Sequence, residues 1–100
     1  MSSKTDDEFY DRAQEHLRVA NEQMSEVPRG EVSASLMYAC ARFNVWVSAA
    51  NRRSPEDLKA AYGRTIEYFV GQYRRMLVKN LDDYVDNFHD YKAGADRDPS

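Results

Sequence analysis

The stretch Ser33-Ala-Ser-Leu-Met-Tyr-Ala-Cys-Ala-Arg-Phe-Asn-Val-Trp-Val-Ser-Ala-Ala50 is the most apolar run of a polar chain. Its eighteen residues are close to the minimum for a membrane span. Arg42 at the centre would be costly in lipid, and no aromatic belt flanks the run, so a span is rejected. Read as a helix over about 31–52, it carries two apolar stripes. One is Val32, Leu36, Ala39, Cys40, Phe43, Val47 and Ala50, and the other is Ala34, Tyr38, Ala41, Val45 and Ala49. A helix apolar on both sides reads as the buried centre of a helical fold.

The neighbouring segments supply helices to pack on it. Phe9, Ala13, Leu17, Ala20 and Met24 recur at steps of four and three, which predicts a helix over about 7–26. Acidic Asp6, Asp7 and Glu8 suit its positive N-terminal end. Pro28 and Gly30 end it. After Arg52 and Arg53, the run Ser54-Pro55-Glu56-Asp57 has the form of a helix start, with Ser54 as cap and Pro55 in the first position. From there Leu58, Tyr62, Ile66, Phe69, Tyr73, Leu77, Leu81, Tyr84, Phe88 and Tyr91 keep one phase, so a single helix over 55–91 is expected. It would be about 55 Å long. A bend is expected at Asn80, where Lys79 reads as a helix end and Asp82 and Asp83 as a new beginning; a full break there would make a four-helix variant. Residues 1–5 and 93–100 are expected to fray.

The fold expected is therefore all-α: one domain, an antiparallel three-helix bundle with a long, bent third helix. Composition agrees. The chain has 100 residues, 42% hydrophobic and 31% charged, with only 4 Gly and 3 Pro, which disfavours a turn-rich sheet fold. Two partner helices are too few to cover a centre that is apolar on both sides. A second copy of the chain, as a homodimer, is the expected remedy.

Charge is unevenly distributed. Residues 1–27 carry net −4, residues 28–80 net +5 and residues 81–100 net −4, for −3 overall. The simpler account is internal complementarity between acidic and basic helices; the alternative is an anionic partner on the basic middle. Arg52, Arg53, Arg64, Arg74, Arg75 and Lys79, with Tyr68 able to stack on a base, are the residues such a partner would use. Nucleic acid is not expected, because the chain is acidic overall and shows no recognition-helix pattern. Gly63 and Gly71 stand singly and form no phosphate-binding loop.

No catalytic constellation emerges. Cys40 lies on the main stripe and reads as core, and although His16 falls level with it in an antiparallel pair, no orienting or oxyanion group accompanies them. Asp86 and His89 resemble one half of a di-iron site, but the second half is missing, so no metal and no cofactor is expected. The chain is read as a non-enzyme. His16, Arg42, Asn44 and Glu67 form a candidate polar seam between helices, with Arg42 and Glu67 as its ion pair. Tyr38, Trp46 and Tyr68 lie off the main stripes and, with Arg74 and Arg75, form the candidate protein interface. A single cysteine needs no oxidising compartment, the N-terminal residues lack a signal-peptide pattern, and a cytoplasmic location is expected.

The blocks TDDEFYDRA, ANEQ, GEVSASLMYACARFN, YFVGQYRRML and NLDDYVDNF, within about residues 5–90, resemble a domain-of-unknown-function family of small single-domain bacterial proteins, mainly from proteobacteria. The resemblance implies a bacterial, helical, cytoplasmic protein and carries no site residue with it. The function expected from all this is a protein–protein interaction or regulatory module.

Overall fold

A computed structural model describes residues 4–93. Every regular element in that range is helical: α1 (Lys4–Gln23), α2 (Arg29–Ala50), α3 (Pro55–Ala60), α4 (Tyr62–Asp86) and α5 (Phe88–Ala93). The ends expected to fray lie outside these residues, apart from Lys4, Thr5 and Ala93, which are helical. The described residues divide between two compact units, one up to Tyr38 and the other from Ala39 to Ala93.

In the first unit, the stripe of α1 sets its covered side. Ala20 is buried, and Ala13, Leu17 and Met24 are half-buried, but Phe9 is exposed. The outer side carries an Arg18–Glu22 ion pair at 2.8 Å, exposed and one turn apart, which adds little stability. α1 ends three residues earlier than its pattern predicts. Its last carbonyls are taken up by a tight turn, with Ser25 N–H donating to Glu22 O at 3.2 Å and Glu26 N–H to Gln23 O at 3.0 Å. The Pro28 carbonyl then accepts from Glu31 and Val32, so α2 begins two residues earlier than expected, at Arg29. Gly30 keeps an ordinary φ and supplies no special turn geometry. Val32 is buried on the entering turn of α2.

In the second unit, the predicted helix start at Ser54 is present in detail. Ser54 is extended (φ −160°, ψ 163°), its Oγ accepts from Asp57 N–H at 3.1 Å, and Pro55 holds the first helical position. The Asp57 carboxylate reaches back to Arg53 N–H at 3.2 Å and lies 3.6 Å from the Arg52 guanidinium. This corner reverses the chain between α2 and α3.

The long helix expected over 55–91 is interrupted twice, and neither interruption is at Asn80. The first is Ala61 (φ −94°, ψ 5°), whose N–H donates to Leu58 O in a tight closing turn. Ala61 is almost wholly buried, and a methyl group is what the junction of α3 and α4 admits. The second is Asn87 (φ −119°, ψ 28°). Both asparagines turn their side-chain amide onto the carbonyl four residues back, Asn80 onto Met76 at 2.7 Å and Asn87 onto Asp83 at 3.0 Å. Only Asn87 also donates to a side chain, the Asp83 carboxylate at 3.0 Å. The helix is interrupted at Asn87, whose own N–H still reaches Asp83 O at 3.0 Å, whereas α4 runs through Asn80 unbroken.

Candidate interaction surface

α4 has two distinct sides. The covered side is formed by Ala61, Thr65, Phe69 and Gln72, at steps of three and four, a mixed polar and apolar edge. Ser48, Asn51 and Arg52 face its first turns across an open groove of about 350 Å³, to which Arg64, Thr65 and Tyr68 contribute from α4. Apart from Leu58, Phe69 and Tyr91, which are half-buried, the apolar stripe that the sequence marks as core is left in solvent. Ile66 is 43% exposed, Tyr73 50%, Leu77 44%, Leu81 56%, Tyr84 43% and Phe88 53%.

The second half of α2 repeats the pattern. Asn44, Ser48 and Ala49 are partly covered, while Phe43, Val45, Trp46 and Val47 are exposed. Phe43 and Trp46 stack on each other with centroids 5.9 Å apart, so each ring covers part of the other in the absence of a core. The expectation that α2 is a buried centre is corrected: among its described residues only Val32 is buried, and Leu36 and Cys40 are exposed. The physical reason is the shortage of apolar cover that the two stripes of α2 already implied.

At the C-terminal end the structure assembles a cluster that sequence reasoning missed. Tyr91 O–H donates to the Asp83 carboxylate at 2.7 Å, and the Tyr84 and Tyr91 rings stack at 4.1 Å. The bond to Asp83 raises the Tyr91 pKa above the ordinary phenol value, with partial burial and the negative charge of Asp83 acting in the same direction. The signal was present as Asp83, Asn87 and Tyr91 at steps of four, the helical neighbour spacing.

Each candidate residue has a definite place. Tyr38 (66% exposed) closes the first unit, and Trp46, Tyr68, Arg74 and Arg75 are exposed in the second. Arg74 and Arg75 lie next to the stripe residue Tyr73. Of the candidate seam, His16 belongs to the first unit and Arg42, Asn44 and Glu67 to the second. Asn44 is half-buried and its amide donates to Cys40 Sγ at 3.4 Å. Arg42 and Glu67 are both exposed, and the Arg42–Glu67 pair is not made. The reason is that the α2–α4 groove turns Ser48 and Thr65 inward, leaving Arg42 and Glu67 in water. Asp86 and His89 are exposed, and the described residues hold no group of three His, Cys, Asp or Glu side chains arranged to bind a metal. None of the described helices is long and apolar enough to cross a membrane.

The fold has a solved relative. The chain is similar to the protein NB7890A from Shewanella sp, whose NMR structure superposes with a TM-score of 0.72 at 39% identity, over 85% of this chain and 91% of that one. No curated protein matches. Residues 9–85 match the family described as "Protein of unknown function (DUF3144)", which takes in α2, α3, the greater part of α1 and nearly all of α4. The chain belongs to that family.

Proposed function

We propose that the chain is a protein–protein interaction module, a small adaptor or regulatory piece that works as a homodimer, and that it is not an enzyme. The observation that carries this reading is the uncovered stripe of α4 and α5: Ile66, Tyr73, Leu77, Leu81, Tyr84 and Phe88 are all exposed. Exposed apolar surface continuous along a helix marks a contact site. Covering the remaining half of six such side chains on each of two chains gains on the order of 10 kcal/mol. Association costs about 4–15 kcal/mol. The α4 stripe alone is therefore near balance, and the uncovered Phe43–Trp46 pair and charge pairing supply the surplus. The expected antiparallel bundle is completed in this reading by helices of the second copy.

Light scattering across a concentration series tests the dimer. Twice the chain mass is expected, and a compact monomer at every concentration overturns the reading. A partner beyond the second copy, contacting Tyr38, Trp46 or Tyr68, is sought by affinity copurification from the native host. Cytoplasmic residence fits Cys40, a free and exposed thiol of the kind a reducing compartment maintains.

A second reading has one observation in its favour. Arg52 and Arg64 flank the open groove beside the Tyr68 ring, a setting suited to a planar anion or a nucleic-acid base. Nucleic acid copurifying with the protein and lost in high salt would favour it over the first.

A further inference from the structure

We propose that the groove between the end of α2 and the first turns of α4 binds a planar aromatic carboxylate. This rests on the second reading above and names the class of anion that the groove takes.

The polar lining suits a ligand rich in acceptors. Ser48 and Asn51 line the groove from the end of α2, and Arg64 and Thr65 from α4. Ser48 and Thr65 are half-buried. All four side chains carry O–H or N–H donors. None of the four has a hydrogen-bond or ion-pair partner among the described residues. A carboxylate accepts several hydrogen bonds at once and donates none, so it matches that set.

Charge favours an anion of one unit. The Arg64 guanidinium is exposed. Arg52 is held by Asp57, with Nη1 at 3.6 Å from Oδ1, while Asp57 Oδ2 accepts from Arg53 N–H at 3.2 Å. That contact leaves the other N–H donors of Arg52 for the groove. Arg52 and Arg64 against Asp57 leave one net positive charge. The next carboxylate along α4, Glu67, projects from the far side, about 200° round from Thr65. A carboxylate lies flat in a guanidinium fork, which makes Arg64 the main anchor.

The remaining lining fits a ring. Tyr68 and Phe69 meet edge to face with centroids 5.1 Å apart, and Tyr68 is 60% exposed. A flat ring can stack on Tyr68 while its acid group reaches Arg64. Val47 adds apolar surface from α2. The volume of about 350 Å³ is at the small end for ligand sites. One net positive charge and a groove of this size suit a single small anion better than a nucleic-acid strand, which needs a basic track and successive rings.

The test titrates benzoate into the isotope-labelled full chain and follows its amide chemical shifts. A saturable response is expected, largest at Ser48, Asn51, Thr65 and Tyr68. Arg64→Gln and Tyr68→Leu, both at exposed positions, are each expected to raise Kd about fivefold or more. Lys92→Gln makes the same charge change on α5, at the other end of α4, and should leave Kd within about twofold. Cyclohexanecarboxylate has the charge without the flat ring, and benzamide the ring without the charge. Each is expected to bind more weakly than benzoate by about fivefold or more. Either compound binding as tightly as benzoate overturns the proposal, as does benzoate binding that is indifferent to Arg64→Gln. A short oligothymidylate that binds more tightly than benzoate, with an affinity falling steeply as salt rises, overturns it while leaving the second reading standing. Binding of neither probe overturns both.

Discussion

Tyr91 and Asp83 are joined by a 2.7 Å hydrogen bond that spans the break at Asn87, and the Tyr91 ring lies flat on Tyr84. Two contacts thus fasten a six-residue helix, α5, to the end of a long one. A helix of that length has no stability of its own in water, so these contacts hold it.

The bond makes the attachment sensitive to alkali. Hydrogen bonding to Asp83 is the largest of the influences that raise the Tyr91 pKa above its ordinary value of 10.0. A raised pKa means that the neutral phenol is the form the fold stabilises. The contribution is complete below about pH 10 and is lost as pH rises through the folded value. A phenolate absorbance titration of the parent minus that of Tyr91→Phe should show one group ionising above pH 10. In an Asp83→Asn background that group should ionise at lower pH.

Ser54→Ala removes the acceptor for Asp57 N–H at the start of α3. The expected cost is about 1 kcal/mol, and Ser54→Asp should recover most of it. For a chain of this size that is a fall in Tm of about 4–8 °C. Thermal unfolding followed by circular dichroism measures it; no change in Ser54→Ala would show that this corner does not contribute.

Gly71 lies inside α4 with an ordinary helical φ, and an added methyl group would meet only the far end of the Arg75 side chain, at 3.7 Å. Gly71→Ala should therefore stabilise the protein by about 0.5–1 kcal/mol through helix propensity alone. Urea unfolding with an unchanged m-value is the check. Destabilisation would mean that another backbone packs closely at Gly71.

Arg42 and Glu67 are exposed and unpaired with each other. Arg42→Met and Glu67→Gln should each change stability by less than about 0.5 kcal/mol. The double-mutant cycle should close to within about 0.3–0.5 kcal/mol. A coupling energy above that would mean the two side chains meet in the working assembly.

The helices were legible in the sequence because they rest on local rules. The Ser54-Pro55 start, the α1 stripe and the passage of α4 toward residue 86 all follow from capping and periodicity over a few turns. The interruptions at Ala61 and Asn87 were not read from the sequence: an alanine carries no breaking signal, and the residue four back, Met76 for Asn80 and Asp83 for Asn87, is what tells the two asparagines apart. The seam at His16, Arg42, Asn44 and Glu67 was inferred by assuming that apolar stripes face inward. That inference has a limit in physics, since a stripe records that a surface is apolar and says nothing of what covers it. Tyr38, Trp46 and Tyr68, read from the sequence as off-stripe aromatics, are exposed, and the larger exposed surface lies on the stripe itself.

The uncovered apolar stripe of α4 also bears on how many copies of a chain can join through one surface. A patch that fits itself after a half-turn is consumed when two chains meet, and nothing adhesive remains on that side for a third. A patch that fitted a different part of its neighbour would leave an open end at every step and grow into a fibre. Whether such a patch fits itself decides the number of copies at which adhesion stops, a property distinct from its strength.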